Sequence, residues 1–98
     1  MTYDFFGGWS NVTGHNAPLY KPLNATGLLE EFTVQYAVDY WLQKGADPKK
    51  LILGMPLYGR TFTLKDPKQY GIGAPTVGKG GNSGPITRII GMLGWFLK

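Results

Sequence analysis

Apolar and polar positions along the chain fall into three patterns, each predicting a different element. Residues 1–6 (Met-Thr-Tyr-Asp-Phe-Phe) are aromatic and β-favouring, and Gly7-Gly8 interrupts them, which predicts a strand. Val34, Ala37, Val38, Trp41 and Leu42 recur at i, i+3, i+4, i+7 and i+8, a single apolar stripe that predicts a helix from about Val34 to Lys44. Thr33 stands at the N-cap position and Gly45 where a left-handed C-cap ends such a helix. After Asp47-Pro48, residues 51–58 (Leu-Ile-Leu-Gly-Met-Pro-Leu-Tyr) form a nearly continuous apolar run. That is the pattern of a strand buried on both faces of a parallel sheet. Phe62-Thr63-Leu64 extends or follows it.

Between strand and helix, residues 7–29 read as a long loop punctuated by Gly14, Pro18, Pro22 and Gly27. Loops of about twenty residues are uncommon in compact domains and are usually functional. Strand, loop, helix, strand is a βαβ unit, so the fold class is α/β. From Gly71 to Gly94 the chain has eight glycines in 24 residues and reads as a turn-rich tail, not a second unit. The first strand is already under way at Met1, which suggests an upstream part.

Composition narrows the chemistry. The 98 residues make at most one small domain, or a piece of a larger one. There is no cysteine and His15 is the only histidine, so no disulfide, no His/Cys zinc site and no other metal centre is expected. Hydrophobic residues at 43% against 16% charged are a globular balance. The net charge of +4 is uneven: residues 1–43 hold one basic residue against four acids, residues 44–98 nine against two. The bases are scattered singly apart from Lys49-Lys50, so a nucleic-acid footprint is not expected. No run approaches the roughly 20 apolar residues of a membrane span, and the N-terminus lacks a signal-peptide pattern.

In parallel α/β folds functional groups gather at the C-terminal ends of strands. Tyr3-Asp4 stands there on the first strand and Tyr58-Gly59-Arg60 on the second, and a right-handed βαβ unit opens both ends on one face. Asp4, Arg60, Tyr3, Trp9 and Tyr58 would then form a polar, ring-lined patch. Flat rings for sugar faces, with a carboxylate and a guanidinium for hydroxyls and amides, suit a carbohydrate site. The same residues equally describe a structural ion pair beside core aromatics, and spacing alone does not separate the two.

Four segments in order carry a resemblance. Residues 1–5 (MTYDF), 13–20 (TGHNAPLY), 51–60 (LILGMPLYGR) and 71–75 (GIGAP) closely resemble glycoside hydrolase family 18 chitinases of the arthropod and animal type, over about residues 1–95. The resemblance implies a partial TIM (β/α)8 barrel, with residues 1–6 as the sixth strand, 34–44 as the sixth helix and 51–58 as the seventh strand. Residues 1–61 would be barrel, and residues 62–98 the beginning of the α+β chitinase insertion domain. A complete barrel takes about 250 residues.

For chemistry, the resemblance implies hydrolysis of β-1,4-N-acetylglucosamine linkages in chitin by substrate-assisted retention. The substrate's own acetamido oxygen attacks the anomeric carbon while a glutamic acid protonates the leaving oxygen. That acid ends a D-x-x-D-x-D-x-E pattern, which these 98 residues do not contain. By resemblance, the catalytic contributions here are Tyr3, orienting the acetamido group, and Asp4, binding the distorted sugar. Met1, Trp9, Tyr58 and Arg60 are the substrate-binding residues, with Met1 lining the acetamido pocket and Trp9 stacking on a sugar. No cofactor is implied. The implied partners are chitin or N-acetylglucosamine oligosaccharides, without nucleic acid or membrane, in a monomeric, extracellular whole protein. A chitinase-like lectin or growth factor that binds without hydrolysis is the alternative, and a stand-alone small protein a third reading. Retention of Tyr3, Asp4, Tyr58 and Arg60 together favours the enzyme.

Three departures qualify the match. Phe6 stands where animal relatives often have histidine, which predicts a less polar subsite. Ile89-Ile90 and the final Trp95-Phe96-Leu97-Lys98 depart from the family's insertion-domain ending, and the eighth strand is missing, which suggests truncation. Asn11-Val12-Thr13 and Asn24-Ala25-Thr26 are N-glycosylation sequons in the long loop. His15, in its Gly/Asn/Pro setting, reads as a hydrogen-bonding loop residue.

Overall fold

A computed structural model of the chain describes residues 1–83 and, as backbone, Met92–Gly94. In chain order the elements are α1 (Leu28–Glu31), α2 (Val34–Gln43), a 3-10 turn (Pro48–Lys50), β1 (Tyr58–Arg60) and β2 (Met92–Gly94). The departures expected at Ile89-Ile90 and Trp95–Lys98 lie outside the described residues.

The expected helix is α2, bounded as its sequence dictates. Thr33 has extended backbone, and its Oγ1 accepts the Tyr36 N–H at 3.1 Å. At the other end Gly45 stands at φ 91, a left-handed conformation a β-carbon would strain. The Gly45 N–H donates to Leu42 O and the Ala46 N–H to Trp41 O, both at 3.0 Å, the paired bonds of a Schellman cap. The apolar stripe of α2 turns towards Leu51 and Leu53 across an open groove of about 500 Å³.

The two expected strands are corrected. Neither residues 1–6 nor residues 51–57 are strands, and only the end of the second run enters one, as β1. β1 pairs antiparallel with β2, setting Tyr58 opposite Gly94 and Arg60 opposite Met92. The physical reason is that a strand exists through its ladder, and among the described residues these two runs exchange no backbone hydrogen bond. They do lie side by side. Thr2 Oγ1 donates to Gly54 O at 2.5 Å, and two residues on in the first run Asp4 meets the hydroxyl of Tyr58, four residues on in the second. Contacts that advance together in this way set the runs parallel. Burial on both faces also fails: Ile52 is 93% and Leu57 80% exposed, because nothing in the described residues covers the outer side.

The long loop and the tail fold on one another. Thr13 N–H donates to Ala74 O and Thr76 N–H to Asn11 O, each at 2.9 Å, while Lys65 N–H reaches Pro75 O at 3.1 Å. Residues 11–13, 74–76 and 63–65 thus form one hydrogen-bonded layer, with bridges at Val12–Pro75 and Leu64–Thr76. Thr13, Ala74 and Thr76 of this layer are buried, as are Phe6, Val34 and Thr33. The threonine hydroxyls are engaged there: Thr13 Oγ1 donates to Gly71 O at 2.7 Å and Thr76 Oγ1 to Ser10 O at 2.5 Å.

Candidate functional site

The parallel setting of residues 1–6 and 51–60 brings Asp4 against β1. Asp4 has φ 60, the left-handed region that few side chains other than Asn and Asp enter. From that turn its Oδ1 accepts three hydrogen bonds, from the Tyr58 hydroxyl at 2.7 Å and from Arg60 Nε and an Arg60 terminal nitrogen at 3.0 and 2.8 Å. Among the described residues Oδ2 takes none, so the protein's own donors converge on one carboxylate oxygen. The ion pair is half-buried, with side-chain exposures of 14% for Arg60 and 28% for Asp4.

Rings flank the pair. The Arg60 guanidinium carbon lies 5.0 Å from the centre of the Trp9 ring and 5.2 Å from that of Tyr58, cation–π distances on both sides. Trp9 keeps 57% of its surface exposed. Its ring lies on Gly7, where a β-carbon would stand 2.4 Å from ring atoms. Tyr3 packs its ring on Gly54, where a β-carbon would come within 2.7 Å. Tyr58 and Arg60 also border an open groove with His15, Asn16, Tyr20 and Pro56, of about 660 Å³.

Electrostatics follow the contacts. Partial burial alone would raise the Asp4 carboxyl, but the Tyr58 and Arg60 hydrogen bonds and the Arg60 charge outweigh it and hold it below its ordinary 3.8. Partial burial and the bonded Asp4 carboxylate push the Tyr58 phenol above its ordinary 10.0, with Arg60 opposing them in part. Asp4 therefore stays ionised and Tyr58 neutral across the physiological range.

Of the residues expected from sequence, Asp4, Tyr58 and Arg60 meet directly, and Trp9 joins them through Arg60. Tyr3 stands next to Asp4 but is held by Gly54. Met1 is 87% exposed and borders the groove along α2. Phe6 is corrected: it is 2% exposed, with its ring centre 5.5 Å from that of Phe32, so it belongs to the core and sets no subsite polarity. His15 is an exposed loop residue. The sequons differ: Asn11 is exposed but its Thr13 is buried and bonded, whereas Asn24 and Thr26 are both exposed.

Asn16 was not singled out from sequence. Its Oδ1 accepts the Asp4 N–H at 2.7 Å and its Nδ2 donates to Tyr58 O at 2.9 Å. In a stretch of Gly, Pro and Ala an asparagine reads as a turn residue, and its only signal was membership of the residue 13–20 segment. Among the described residues no cluster of three or more His, Cys, Asp or Glu could hold a metal ion. No helix among them is long and apolar enough to cross a membrane.

Comparison with known proteins identifies the family. The sequence profile of glycosyl hydrolases family 18 matches residues 1–95. Mouse chitotriosidase-1 is 48% identical over 96 residues, covering 98% of this chain and 20% of the mouse protein. The Ostrinia furnacalis Group IV chitinase, solved in complex with allosamidin, superposes with TM-score 0.83 at 45% identity, over 96% of this chain and 25% of that one. Human YKL-39, described as a pseudo-chitinase with retained chitooligosaccharide binding properties, superposes with TM-score 0.82 at 40% identity, over 94% and 25%. The chain thus spans a quarter or less of these relatives.

Proposed function

The chain belongs to glycosyl hydrolases family 18, and on that premise we propose that it forms one wall of a chitooligosaccharide groove in a chitinase. The observation that carries this is the Asp4 carboxylate, whose Oδ1 is clamped by Tyr58 and Arg60 while Oδ2 takes no hydrogen bond from the described residues, with the exposed Trp9 ring against Arg60. Two of the relatives sit naturally with it: one is solved with allosamidin, another is described as retaining chitooligosaccharide binding.

In this reading residues 1–6 and 51–58 occupy the places of the sixth and seventh barrel strands, and α2 that of the sixth helix. Residues 62–98 begin the insertion domain. Tyr3 orients the substrate's acetamido oxygen for attack on its own anomeric carbon. Asp4 Oδ2 accepts a hydrogen bond from the distorted sugar, and its charge disfavours ionisation of a neighbouring carboxylic acid. Met1 lines the acetamido pocket, Trp9 stacks on a sugar face, and Tyr58 and Arg60 bind the oligosaccharide. The proton donor is a glutamic acid supplied from outside these 98 residues, so the chain alone binds and does not cleave. The whole protein acts outside the cell, with Asn24 as its accessible glycosylation site.

The test is calorimetric titration with chitotetraose and with cellotetraose, which has the same linkage without acetamido groups. Chitotetraose binding that is lost in Asp4→Ala and absent for cellotetraose is the expected result. Equal binding of both sugars, or binding that survives Asp4→Ala, overturns the assignment.

A further inference from the structure

The Asp4 cluster has a feature that sugar recognition alone does not require. Residues 1–6 and 51–57 share no ladder, yet Asp4 meets Tyr58 and Arg60 with three short bonds from a left-handed backbone turn. Such a turn is sparsely populated by side-chain-bearing residues, although Asp tolerates it better than most, and it persists where the surroundings over-determine it.

Asn16 supplies that determination from the long loop. Its Oδ1 accepts the Asp4 N–H at 2.7 Å, and its backbone carbonyl accepts the next N–H, of Phe5, at 3.0 Å. Two successive amides on the two sides of the left-handed residue are thereby fixed in direction. The remaining amide donor, Nδ2, reaches the Tyr58 carbonyl at 2.9 Å. One side chain thus ties the Asp4 turn to the start of β1, where the Asp4 carboxylate finds its partners. Alanine would lose both side-chain bonds. Aspartate would keep the acceptor but lose the donor to Tyr58 O.

We propose that Asn16 is a positioning residue for the carbohydrate-binding cluster, holding Asp4 in its left-handed turn and registering it against Tyr58 and Arg60. This rests on the sugar-binding reading above for its purpose, though not for its geometry. Asn16 acts through Asp4 and itself need not touch the sugar.

The experiment follows the titrations of Asp4 and Tyr58 by carbon NMR in the wild-type chain, in Asn16→Ala and in Thr63→Val. The last removes a side-chain bond between distant segments, from Thr63 Oγ1 to Gly80 O at 3.1 Å, away from Asp4. In Asn16→Ala the Asp4 carboxyl rises towards its ordinary 3.8 and the Tyr58 phenol falls towards its ordinary 10.0. Chitotetraose affinity falls about tenfold or more in the same variant, the scale of one lost hydrogen bond to a charged group. Thr63→Val moves neither titration. If both titrations stay in place in folded Asn16→Ala, the proposal is overturned. Should Asn16→Ala not fold, amide exchange in the wild type decides. Protection of the Asp4 and Phe5 amides at least about tenfold above that of exposed Leu23 and Asn24 supports the clamp, and equal exchange overturns it. If the wild type ignores chitotetraose while the titrations respond to Asn16→Ala, the sugar reading falls and the positioning role stands.

Discussion

Replacing Asp4 by alanine removes the acceptor of three hydrogen bonds, two of them from a guanidinium that is only 14% exposed. A hydrogen bond to a charged group contributes about 1.5–3 kcal/mol when well buried. Here three donors share one oxygen and the Asp4 side chain keeps 28% exposure, so solvent screening reduces the sum to about 2–3 kcal/mol. Alanine at φ 60 adds about 1 kcal/mol of backbone strain. Asp4→Ala should therefore destabilise by about 3–4 kcal/mol, and Asp4→Asn, which keeps the Tyr58 bond and tolerates the turn, by about 1 kcal/mol. Urea unfolding measures both as a fall in midpoint at constant slope. Acid adds a second handle. The folded carboxyl titrates below its ordinary 3.8, so between the two values the unfolded chain binds more protons. The stabilisation is complete above the ordinary value and is lost as pH falls through the lowered one. The gap between wild type and Asp4→Asn must then close on acidification. A loss below about 0.5 kcal/mol for Asp4→Ala, within the range of ordinary surface substitutions, refutes the reasoning, as does a gap that persists in acid.

Other consequences are equally direct. Tyr58 titrates above its ordinary 10.0, so the neutral phenol's stabilisation is present below that value and lost as pH rises through the raised one; Tyr58→Phe should abolish this alkaline loss in a pH series of melting curves. Gly54→Ala would place a β-carbon 2.7 Å from the Tyr3 ring, which predicts a loss of about 1–3 kcal/mol in urea unfolding and a displaced Tyr3 ring signal. Thr33→Ala removes the cap on the Tyr36 N–H and should cost about 1 kcal/mol, with fraying of the first turn of α2 seen by amide exchange. Ile52, 93% exposed beside other apolar side chains, predicts self-association that Ile52→Lys reduces in sedimentation velocity.

Local signals were the most legible in the sequence. The apolar stripe of α2, its Thr33 cap and its Gly45 terminus depend on residues a few positions apart, and each forms as its chemistry dictates. The meeting of Asp4 with Tyr58 and Arg60 was also readable, because strand ends of a right-handed βαβ unit share a face. The two strands themselves were over-read. Their residue types favour strands, but a strand is a relation between neighbours, and among the described residues only Tyr58, at the end of the second run, takes a ladder partner. Phe6 shows the limit of reading a departure as a functional change: an aromatic two residues from Asp4 went to the core, against Phe32, because residues 1–6 follow no strand alternation and packing on Phe32 decides which way the ring turns. Asn16 was hidden for the opposite reason. Its bonds span 12 and 42 positions along the chain, and no periodicity marks a loop side chain that joins two distant segments.

The central claim is that Oδ2 of Asp4 receives a sugar. The most direct measurement is the carbon-13 shift of the Asp4 carboxyl, and of the Trp9 ring, as chitotetraose is added to the labelled chain. The account predicts that both move together and saturate on one binding curve, with no hydrolysis product formed. Saturable binding that leaves the Asp4 carboxyl unmoved, or shifts confined to the apolar groove along α2, would contradict it.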